Sequence, residues 1–341
     1  MVRLADPTHV APKDATTPDA RKRPAPPGGS NGYGSTSGTR CQSLAGGVSH
    51  GNPVPAAKGA RMDYRKKFVV EPDSKVDLAR VDPAFTGKFA NEGDAKAEID
   101  SRCERLAKLQ YLLYADGTQS LLVVLQGMDA GGKDGTVHHV FREVDPQGVS
   151  VHAFKQPTPQ ELAHDFLWRV HAVTPPRGSI AIFNRSHYED VLVARVHQLV
   201  PKDVWSKRYA RIVDFEKNLV QANTHILKFF LHISPEEQLR RFKARLEDPL
   251  RQWKISESDY SERDYWEEYV RAYEAALEKT STERAPWFII PSDHKWFRNL
   301  AVSTIIVDAL EALNMKLPQP HVDLADIARR YHAADAKGSL G

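Results

Sequence analysis

The chain has 341 residues, 41% of them hydrophobic, and a formal net charge of +3. The length and hydrophobic content fit one large domain with a substantial core, and the small net charge gives no indication of nucleic-acid binding. No apolar stretch approaches the ~20 residues of a membrane span, and Cys41 and Cys103 provide neither a disulfide framework nor a zinc spacing, so we expect a cytoplasmic protein without membrane partners.

Residues 1–61 differ in composition from the rest of the chain. Roughly a quarter of them are Gly or Pro, and the aliphatic residues show no periodicity. We therefore predict a disordered segment here, followed by one folded domain over 62–320 and a C-terminal tail over 321–341. Met62 stands at the change in composition, which motivates the hypothesis that the natural chain starts there.

Helical periodicity begins near Glu92, where apolar residues recur at three- and four-residue steps until the turn at Asp116-Gly117. Beyond it, short β-like runs alternate with longer helical patterns, which is typical of parallel βαβ units. This pattern predicts helices on both faces of a parallel sheet of about five strands. The predicted strands are 120–126, 150–154, 179–184, 225–233 and 286–290. The predicted helices are 133–143, 160–170, 187–198, 203–222, 235–247, 259–279 and 296–314.

The segment from Gly127 to Lys133 directly follows the strand at 120–126. Its spacing fits G-x-x-x-x-G-K, in which small residues such as Gly131 and Gly132 let backbone N–H groups converge on phosphate oxygens. The N-terminus of the following helix adds positive potential at the same place. The segment therefore predicts a phosphate-binding loop.

One position departs from the usual loop pattern. Asp134 stands where a Ser or Thr hydroxyl normally ligates Mg²⁺, so Asp129 inside the loop is the candidate metal ligand. The alternative interpretation is a plain glycine turn between strand and helix, which would need neither the lysine nor the carboxylate.

A second polar cluster follows the strand at 179–184. Arg185 can clamp phosphate oxygens, and Glu189 and Asp190 can supply the negative charge that Asn184 lacks as a Mg²⁺ ligand. The alternative is a helix N-terminus, in which Asn184 caps the helix and the two acids favour its first turn. The two interpretations are compatible.

A third cluster contains several cations. Arg241 and Arg245 lie four residues apart on one helical face, where like charges repel unless an anion lies between them. Glu237 could neutralise Arg241 instead, which leaves an ordinary solvated helix as the alternative. Further along, Lys254 lies in a segment poor in aliphatic residues, which fits a mobile lid over about 240–260.

Together with Phe154-Lys-Gln-Pro-Thr158, these clusters make the chain resemble the polyphosphate kinase family 2 over about residues 80–318. The resemblance implies a three-layer α/β/α, P-loop kinase-like core with a helical lid, and dependence on Mg²⁺. It implies phosphoryl transfer between inorganic polyphosphate and adenine or other nucleotides. The resemblance also implies the class that has Gly-Met-Asp in the loop and Asn at the end of the second motif strand, whose members tend to accept AMP as well as ADP and have an acid at the position of Glu189. We also expect a homo-oligomer.

Spacing and resemblance together place the predicted site residues in three groups. The predicted catalytic residues are Asp129, Lys133, Arg185 and Glu189. The predicted phosphate- and polyphosphate-binding residues are Gly127, Gly131, Gly132, Lys155, Arg241, Arg245 and Lys254. The predicted Mg²⁺ ligands are Asp129, Asn184 and Asp190, of which Asn184 departs from the aspartate of other classes.

Two alternatives share parts of the pattern. An ATP-dependent nucleoside monophosphate kinase would have the same loop, sheet and arginine-rich lid. A non-catalytic polyphosphate-binding protein of the same fold would have no need of Asp129 in its loop. The sequence leaves open the nucleobase, the preference for AMP or ADP, the direction of transfer and the oligomeric state.

Overall fold

The computed structural model describes residues 62–338. They belong to one unit of the chain, Lys58–Gly341, whereas the other unit, Met1–Ala57, lies outside the described residues. The prediction of disorder over 1–61 falls outside them and stays a prediction, as does the hypothesis that the natural chain starts at Met62.

The strands of the protein form a single sheet. They are β1 Val69–Val70, β2 Ser120–Gln126, β3 Val149–Ala153, β4 Ile180–Asn184, β5 Thr224–His232 and β6 Trp287–Pro291. Their order in the six-stranded sheet is β1-β6-β5-β2-β4-β3. Strands β2 to β6 pair in parallel, whereas β1 runs antiparallel to β6 at the edge.

The five parallel strands confirm the predicted ones to within one residue at each end. The sheet is nevertheless mixed, because β1 adds an antiparallel edge that the sequence analysis missed. A strand of two residues is too short to show any alternation of apolar and polar positions, so no periodicity could reveal it.

Helices cover both faces of this sheet. The α-helices within residues 62–338 are α1 Tyr64–Phe68, α2 Glu92–Asp116, α3 Lys133–Val140, α4 Pro159–Leu162, α5 Trp168–His171, α6 Val193–Val196, α7 Lys202–Gln221, α8 Pro235–Glu247, α9 Glu257–Ser261, α10 Trp266–Thr280, α11 Lys295–Glu311 and α12 Leu324–Gly338. Helix α12 lies in the region predicted as a tail. None of these helices, as far as the structure describes the chain, is long and apolar enough to cross a membrane.

Three of the predicted helices are divided in the structure. The pattern at 160–170 forms α4 and α5, the one at 187–198 forms a 3-10 turn and α6, and the one at 259–279 forms α9, a 3-10 turn and α10. At the start of the first of these patterns, Thr158 and Glu161 exchange side-chain and backbone hydrogen bonds that fix where α4 begins. Such polar caps set helix limits, whereas apolar periodicity continues across the breaks.

Strand β2 lies at the centre of the core. Leu121 and Val123 pack on one face with α2 and α11, while Leu122 and Val124 pack on the other with α7 and α10. All of β2 is buried, as expected of a parallel strand covered on both sides. The carboxyl end of β2 therefore opens between the ends of β4 and β5, where ligands bind in sheets of this kind.

Candidate active site

The loop between β2 and α3 approaches its neighbours closely. A Cβ atom on Gly127 would stand 2.7 Å from the carbonyl oxygen of Leu231 on β5, and one on Gly132 would overlap the guanidinium of Arg298. Gly132 also has a φ of 102°, and Ala130 within the loop has a φ of 59°. Glycine is favoured at both positions, because both have a positive φ, and at Gly127 the backbone of Leu231 also leaves no room for a Cβ atom. The turn brings the chain to the N-terminus of α3, where unpaired backbone N–H groups favour an anion.

Lys133 is the first residue of α3, and its side chain returns to the loop. Its Nζ donates hydrogen bonds to the carbonyl oxygens of Gly127 at 2.7 Å and Met128 at 3.2 Å. Burial, followed by the charge of Arg185, lowers the pKa of Lys133 to about 8. The structure thus holds a buried, easily neutralised cation inside the loop.

Arg185 connects the loop to the segment after β4. Its Nη2 donates to Asp129 Oδ1 at 2.7 Å, and its Nη1 donates to Glu189 Oε2 at 3.3 Å. The backbone of Arg185 is left-handed, with a φ of 62°, which is uncommon for a residue other than glycine and occurs often at functional sites. Burial alone would lower the pKa of Arg185, but the carboxylates of Glu189 and Asp129 outweigh it and raise the pKa. Three of the predicted catalytic residues are therefore in one bridged group beside the fourth, Lys133.

Buried groups beneath this bridge fix the 3-10 turn His187–Asp190. Tyr188 donates its hydroxyl to Glu216 at 2.8 Å, and Lys228 of β5 donates to the other oxygen of Glu216 at 2.6 Å. Burial would raise the pKa of Glu216, but the charge of Lys228 outweighs it and lowers the pKa. Since Tyr188 immediately precedes Glu189, this network holds the backbone that carries one end of the bridge.

Asn184 and Asp134 form a second contact between the same two segments. Asn184 Nδ2 donates to Asp134 Oδ1 at 2.7 Å, and Lys254 Nζ lies 3.4 Å from Asp134 Oδ2. Partial burial would raise the pKa of Asp134, but the hydrogen bond from Asn184 and the charge of Lys254 outweigh it and lower the pKa. The sequence analysis noted Asp134 only as a departure from the loop pattern and missed these partners. The role of Asn184 as a metal ligand stays a prediction.

Asp190 is engaged by α7 rather than by the loop. Arg208 Nη1 donates to its Oδ1 at 2.9 Å and to its backbone oxygen at 3.0 Å. Burial is the main cause that raises the pKa of Asp190. Asp190 thus pairs with Arg208, whereas Asp129 and Glu189 pair with Arg185, and the role of Asp190 as a metal ligand stays a prediction.

Arg241 differs most from the prediction of a mobile lid cation. Its side chain is only 7% exposed and its Nε donates to Glu237 at 2.7 Å. Its Nη1 donates to the carbonyl oxygen of Ala130 in the loop at 2.8 Å, and its Nη2 donates to the carbonyl oxygens of Ser292 and Asp293. In the structure Arg241 is thus a buried support of the loop, and its predicted role in binding phosphate stays a prediction. The alternative of pairing with Glu237 is confirmed, although the helix is not simply solvated.

The other predicted phosphate-binding cations lie nearer the surface. Arg245 stands over the ring of Phe242, with 5.5 Å from its Cζ to the ring centroid, and Lys254 stands 5.2 Å from the ring centroid of Trp253. Lys155 is exposed just beyond β3 and borders a cavity of about 370 Å³ at that edge of the sheet. These positions are compatible with binding a polyanion, and the roles stay predictions.

Two residues that touch the loop were missed from the sequence. Gln238 Nε2 donates to the backbone oxygen of Asp129 at 2.9 Å, while its Oε1 accepts from Arg263 at 2.6 Å. Arg298 of α11 packs against Gly132 and is 2% exposed. Burial, followed by the charge of Arg241, lowers the pKa of Arg298 to about 9. Both residues lie more than a hundred positions along the chain from the loop, so no local pattern marks them.

The carboxylates beside the loop fit a Mg²⁺ site completed by substrate. Among residues 62–338, no group of three or more His, Cys, Asp or Glu is arranged to hold a metal ion. Mg²⁺ commonly takes only one or two carboxylates and completes its shell with water and substrate phosphates. Asp129 and Glu189, which share Arg185 beside the loop, are the carboxylates that would contribute to such a shell.

The fold and the loop define a P-loop kinase-like phosphotransferase. The chain belongs to the polyphosphate kinase 2 family, whose model matches residues 90–318. It is 53% identical over 258 residues to an AMP/ADP-polyphosphate phosphotransferase of Meiothermus ruber, covering 75% of this chain and 96% of that protein. It is 43% identical over 270 residues to an ADP-polyphosphate phosphotransferase of Rhodopseudomonas palustris, covering 74% of this chain and 92% of that protein. The crystal structure of polyphosphate kinase 2 from Arthrobacter aurescens is similar, with a TM-score of 0.76 and 42% identity over 80% of this chain and 97% of that one.

These comparisons confirm the resemblance and the α/β kinase-like fold that the sequence indicated. They also establish that the chain is a kinase and do not favour either alternative, the ATP-dependent monophosphate kinase or the non-catalytic binding protein.

Proposed function

We propose that the protein transfers a phosphoryl group between inorganic polyphosphate and a nucleotide, converting AMP to ADP and ADP to ATP, reversibly and with Mg²⁺. The observation that carries this proposal is the bridged group of Asp129, Arg185 and Glu189 beside Lys133 in the loop. Phosphoryl transfer needs positioning and charge neutralisation more than covalent chemistry from the protein, and this group supplies both.

Each residue has a definite part in the transfer. In the forward direction, an acceptor phosphate oxygen bonds to the terminal phosphorus of polyphosphate as that phosphorus separates from its bridging oxygen, and the donor leaves one unit shorter. The loop amides and Lys133 bind the phosphates, while Arg185 neutralises charge on the moving group through its planar guanidinium. Asp129 and Glu189 would hold Mg²⁺, which supplies further charge neutralisation between the phosphates when bound.

A donor exchange assay tests the proposal. Purified protein is given AMP or ADP with either polyphosphate or ATP as donor, and the nucleotide products are quantified. We expect polyphosphate to support both ADP and ATP formation. A clear preference for ATP as donor to AMP would contradict the proposal in favour of the monophosphate kinase, and no transfer from either donor would contradict it in favour of a binding protein. The cytoplasmic location and the homo-oligomer stay predictions.

The low pKa of Lys133 predicts a loss of activity at alkaline pH. Because kcat/KM reports ionisations of the free enzyme, kcat/KM for the donor should fall as the pH rises through about 8. Stability should not fall with it: the unfolded lysine keeps its proton up to about 10.5, so between these values the folded chain binds fewer protons and this group's contribution to stability rises with pH. A pH profile of kcat/KM, with thermal unfolding measured at the same pH values, checks both the expected fall in activity and the expected rise in stability. Activity that declines only together with unfolding would contradict the assignment.

Glu189 is predicted to affect the choice of acceptor. Its carboxylate is 15% exposed and holds one side of Arg185, and the class with an acid here accepts AMP as well as ADP. We expect Glu189→Gln to shift the ratio of AMP to ADP turnover by about tenfold, the size of one charge-assisted contact. Initial rates with each acceptor measure the ratio, and Glu268→Gln, at an exposed acid of α10, is the matched control. A fall of both rates by the same factor would show a general role in metal binding instead.

A further inference from the structure

Helix α12 follows the part of the chain that matches the family model, which ends at residue 318. Its apolar side chains lie on the surface, with Leu324, Ile327 and Tyr331 60%, 47% and 65% exposed. Isolated helices of this length, 15 residues, are marginally stable in water, and most helices are stabilised by packing of an apolar face. Residues 62–338 leave the apolar face of α12 uncovered, so whatever covers it lies outside these residues.

The apolar residues of α12 form a narrow seam. Leu324, Ile327, Tyr331 and Ala334 are three, four and three positions apart, which is the spacing of the a and d positions of a coiled coil. Two helices pack along such a seam, whereas a helix that covers a globular core has a wider apolar face. The spacing therefore indicates that the partner of α12 is another helix.

The charges of α12 do not suit a membrane surface, because a helix that lies on lipid is rich in Lys and Arg on its polar face. Arg329 and Arg330 both pair with Asp326, at 3.2 and 2.7 Å, and Asp323 adds a further acid. Little net positive charge remains to attract anionic lipid. The balance of charges therefore favours a protein as the partner of α12.

The sizes of the side chains along the seam fit a second copy of α12 in antiparallel orientation. In that orientation Leu324 packs against Ala334 of the other copy, so the small alanine meets a large side chain. Ile327 packs against Tyr331 of the other copy in the neighbouring layer. A parallel pair would instead oppose the two alanines and leave a gap in their layer.

The charges beside the seam favour the same orientation. Asp323 and Arg330 each immediately precede an a position, and in antiparallel helices these flanking positions face each other. Asp323 of one copy therefore lies opposite Arg330 of the other, and the two-fold axis repeats the contact. The dipoles of two antiparallel helices also attract each other.

We propose that α12 pairs with α12 of a second copy of this chain, in antiparallel orientation, along the seam of Leu324, Ile327, Tyr331 and Ala334. The pairing goes beyond the proposed function, because neither phosphate nor nucleotide takes part in it. Four layers make a short seam, so the contact is reversible and depends on the protein concentration.

Sedimentation velocity of the full chain over a range of concentrations tests the pairing. We expect Ile327→Asp to raise the dissociation constant of the pair at least about a hundredfold, because two-fold symmetry places the introduced charge in two buried layers. Ala333→Asp is the matched control. It introduces the same residue at an exposed position of α12 outside the seam, so it should leave the dissociation constant unchanged.

Disulfide cross-linking tests the orientation of the two helices. In a Cys41→Ser background, where the remaining Cys103 is buried, a mixture of Leu324→Cys and Ala334→Cys chains should cross-link under mild oxidation. Either variant alone should not cross-link, because the antiparallel register separates identical positions. Cross-linking of the Ala334→Cys chain with itself would show a parallel pair and overturn the proposed orientation.

Other results would overturn the pairing itself. Equal weakening by Ile327→Asp and Ala333→Asp would place the effect in the helix rather than in the seam. An association that Ile327→Asp leaves unchanged, or a wild type that is monomeric at every concentration, would show that a second copy does not cover α12. If that monomer sediments with vesicles of anionic lipid, the seam binds a membrane instead.

Discussion

Replacement of Lys133 by methionine is expected to lower turnover by at least about a hundredfold, because it removes a preorganised charge from the transferring phosphates. The amine of Lys133 already lies inside the loop, bonded to Gly127 and Met128, so little reorganisation is needed for it to meet a phosphate. Methionine has a similar length and shape but cannot donate a hydrogen bond. The measurement is initial-rate kinetics of polyphosphate-driven ATP formation from ADP.

Folding should survive this substitution. Lys133 is a buried cation whose pKa is lowered by burial, so a neutral side chain of the same size avoids a desolvation cost while losing two hydrogen bonds. Thermal unfolding of Lys133→Met, with Lys207→Met at an exposed lysine of α7 as the control, separates catalysis from stability. Near wild-type turnover in a folded Lys133→Met protein would show that the loop does not act on phosphate.

The loop is predictable from the sequence because its determinants are local. Gly127, Gly132 and Lys133 lie within seven consecutive positions between an apolar run and a helical pattern, and the backbone conformation at both glycines favours glycine. Strands β2 and β6 are equally predictable from the sequence, since their continuous apolar runs follow from burial on both faces. Local spacing was therefore sufficient to predict both the α/β fold class and phosphate binding at the loop.

The roles of residues whose partners lie far away in the sequence could not be predicted from local spacing. The spacing of Arg241 and Arg245 indicated a cationic face, but whether Arg241 meets solvent or the loop depends on Ala130, over a hundred residues away. Asp190 and its neighbour Glu189 look equivalent in the sequence. In the structure, however, Arg208 pairs with Asp190, whereas Arg185 pairs with Glu189. Single-sequence patterns specify which groups are charged, while tertiary packing decides which of them pair.

Side chains from α8 and α11 contact the phosphate loop. Arg241 and Gln238 bind its backbone from α8, and Arg298 packs against it from α11. Preorganised donors stabilise a transition state without a reorganisation cost during the reaction, so side chains that never touch substrate still contribute through the loop's geometry. Helix α8 thus supports the backbone of the loop through Gln238 and Arg241.

Asp129→Asn is expected to have the second largest effect, lowering turnover by about a hundredfold and raising the Mg²⁺ concentration needed for half-maximal rate. The substitution keeps the size of the side chain. Gln238 binds the backbone oxygen of Asp129 rather than its carboxylate, so the position of the loop should be retained. Arg185 would also keep its contact with Glu189, and the variant therefore tests one negative charge in an otherwise intact site.

A Mg²⁺ titration distinguishes the two roles that Asp129 can have. If it binds the metal, added Mg²⁺ should restore part of the lost rate, because one carboxylate fewer weakens binding without abolishing it. If it only orients Arg185, the rate should fall by the same factor at every Mg²⁺ concentration. Asp203→Asn, at an exposed acid in the first turn of α7, is the matched control and should leave both the rate and the metal requirement unchanged. A metal requirement in Asp129→Asn equal to that of the wild type would rule out Asp129 as a ligand and leave Glu189 as the carboxylate to test, since its contact with Arg185 places it beside the same phosphates.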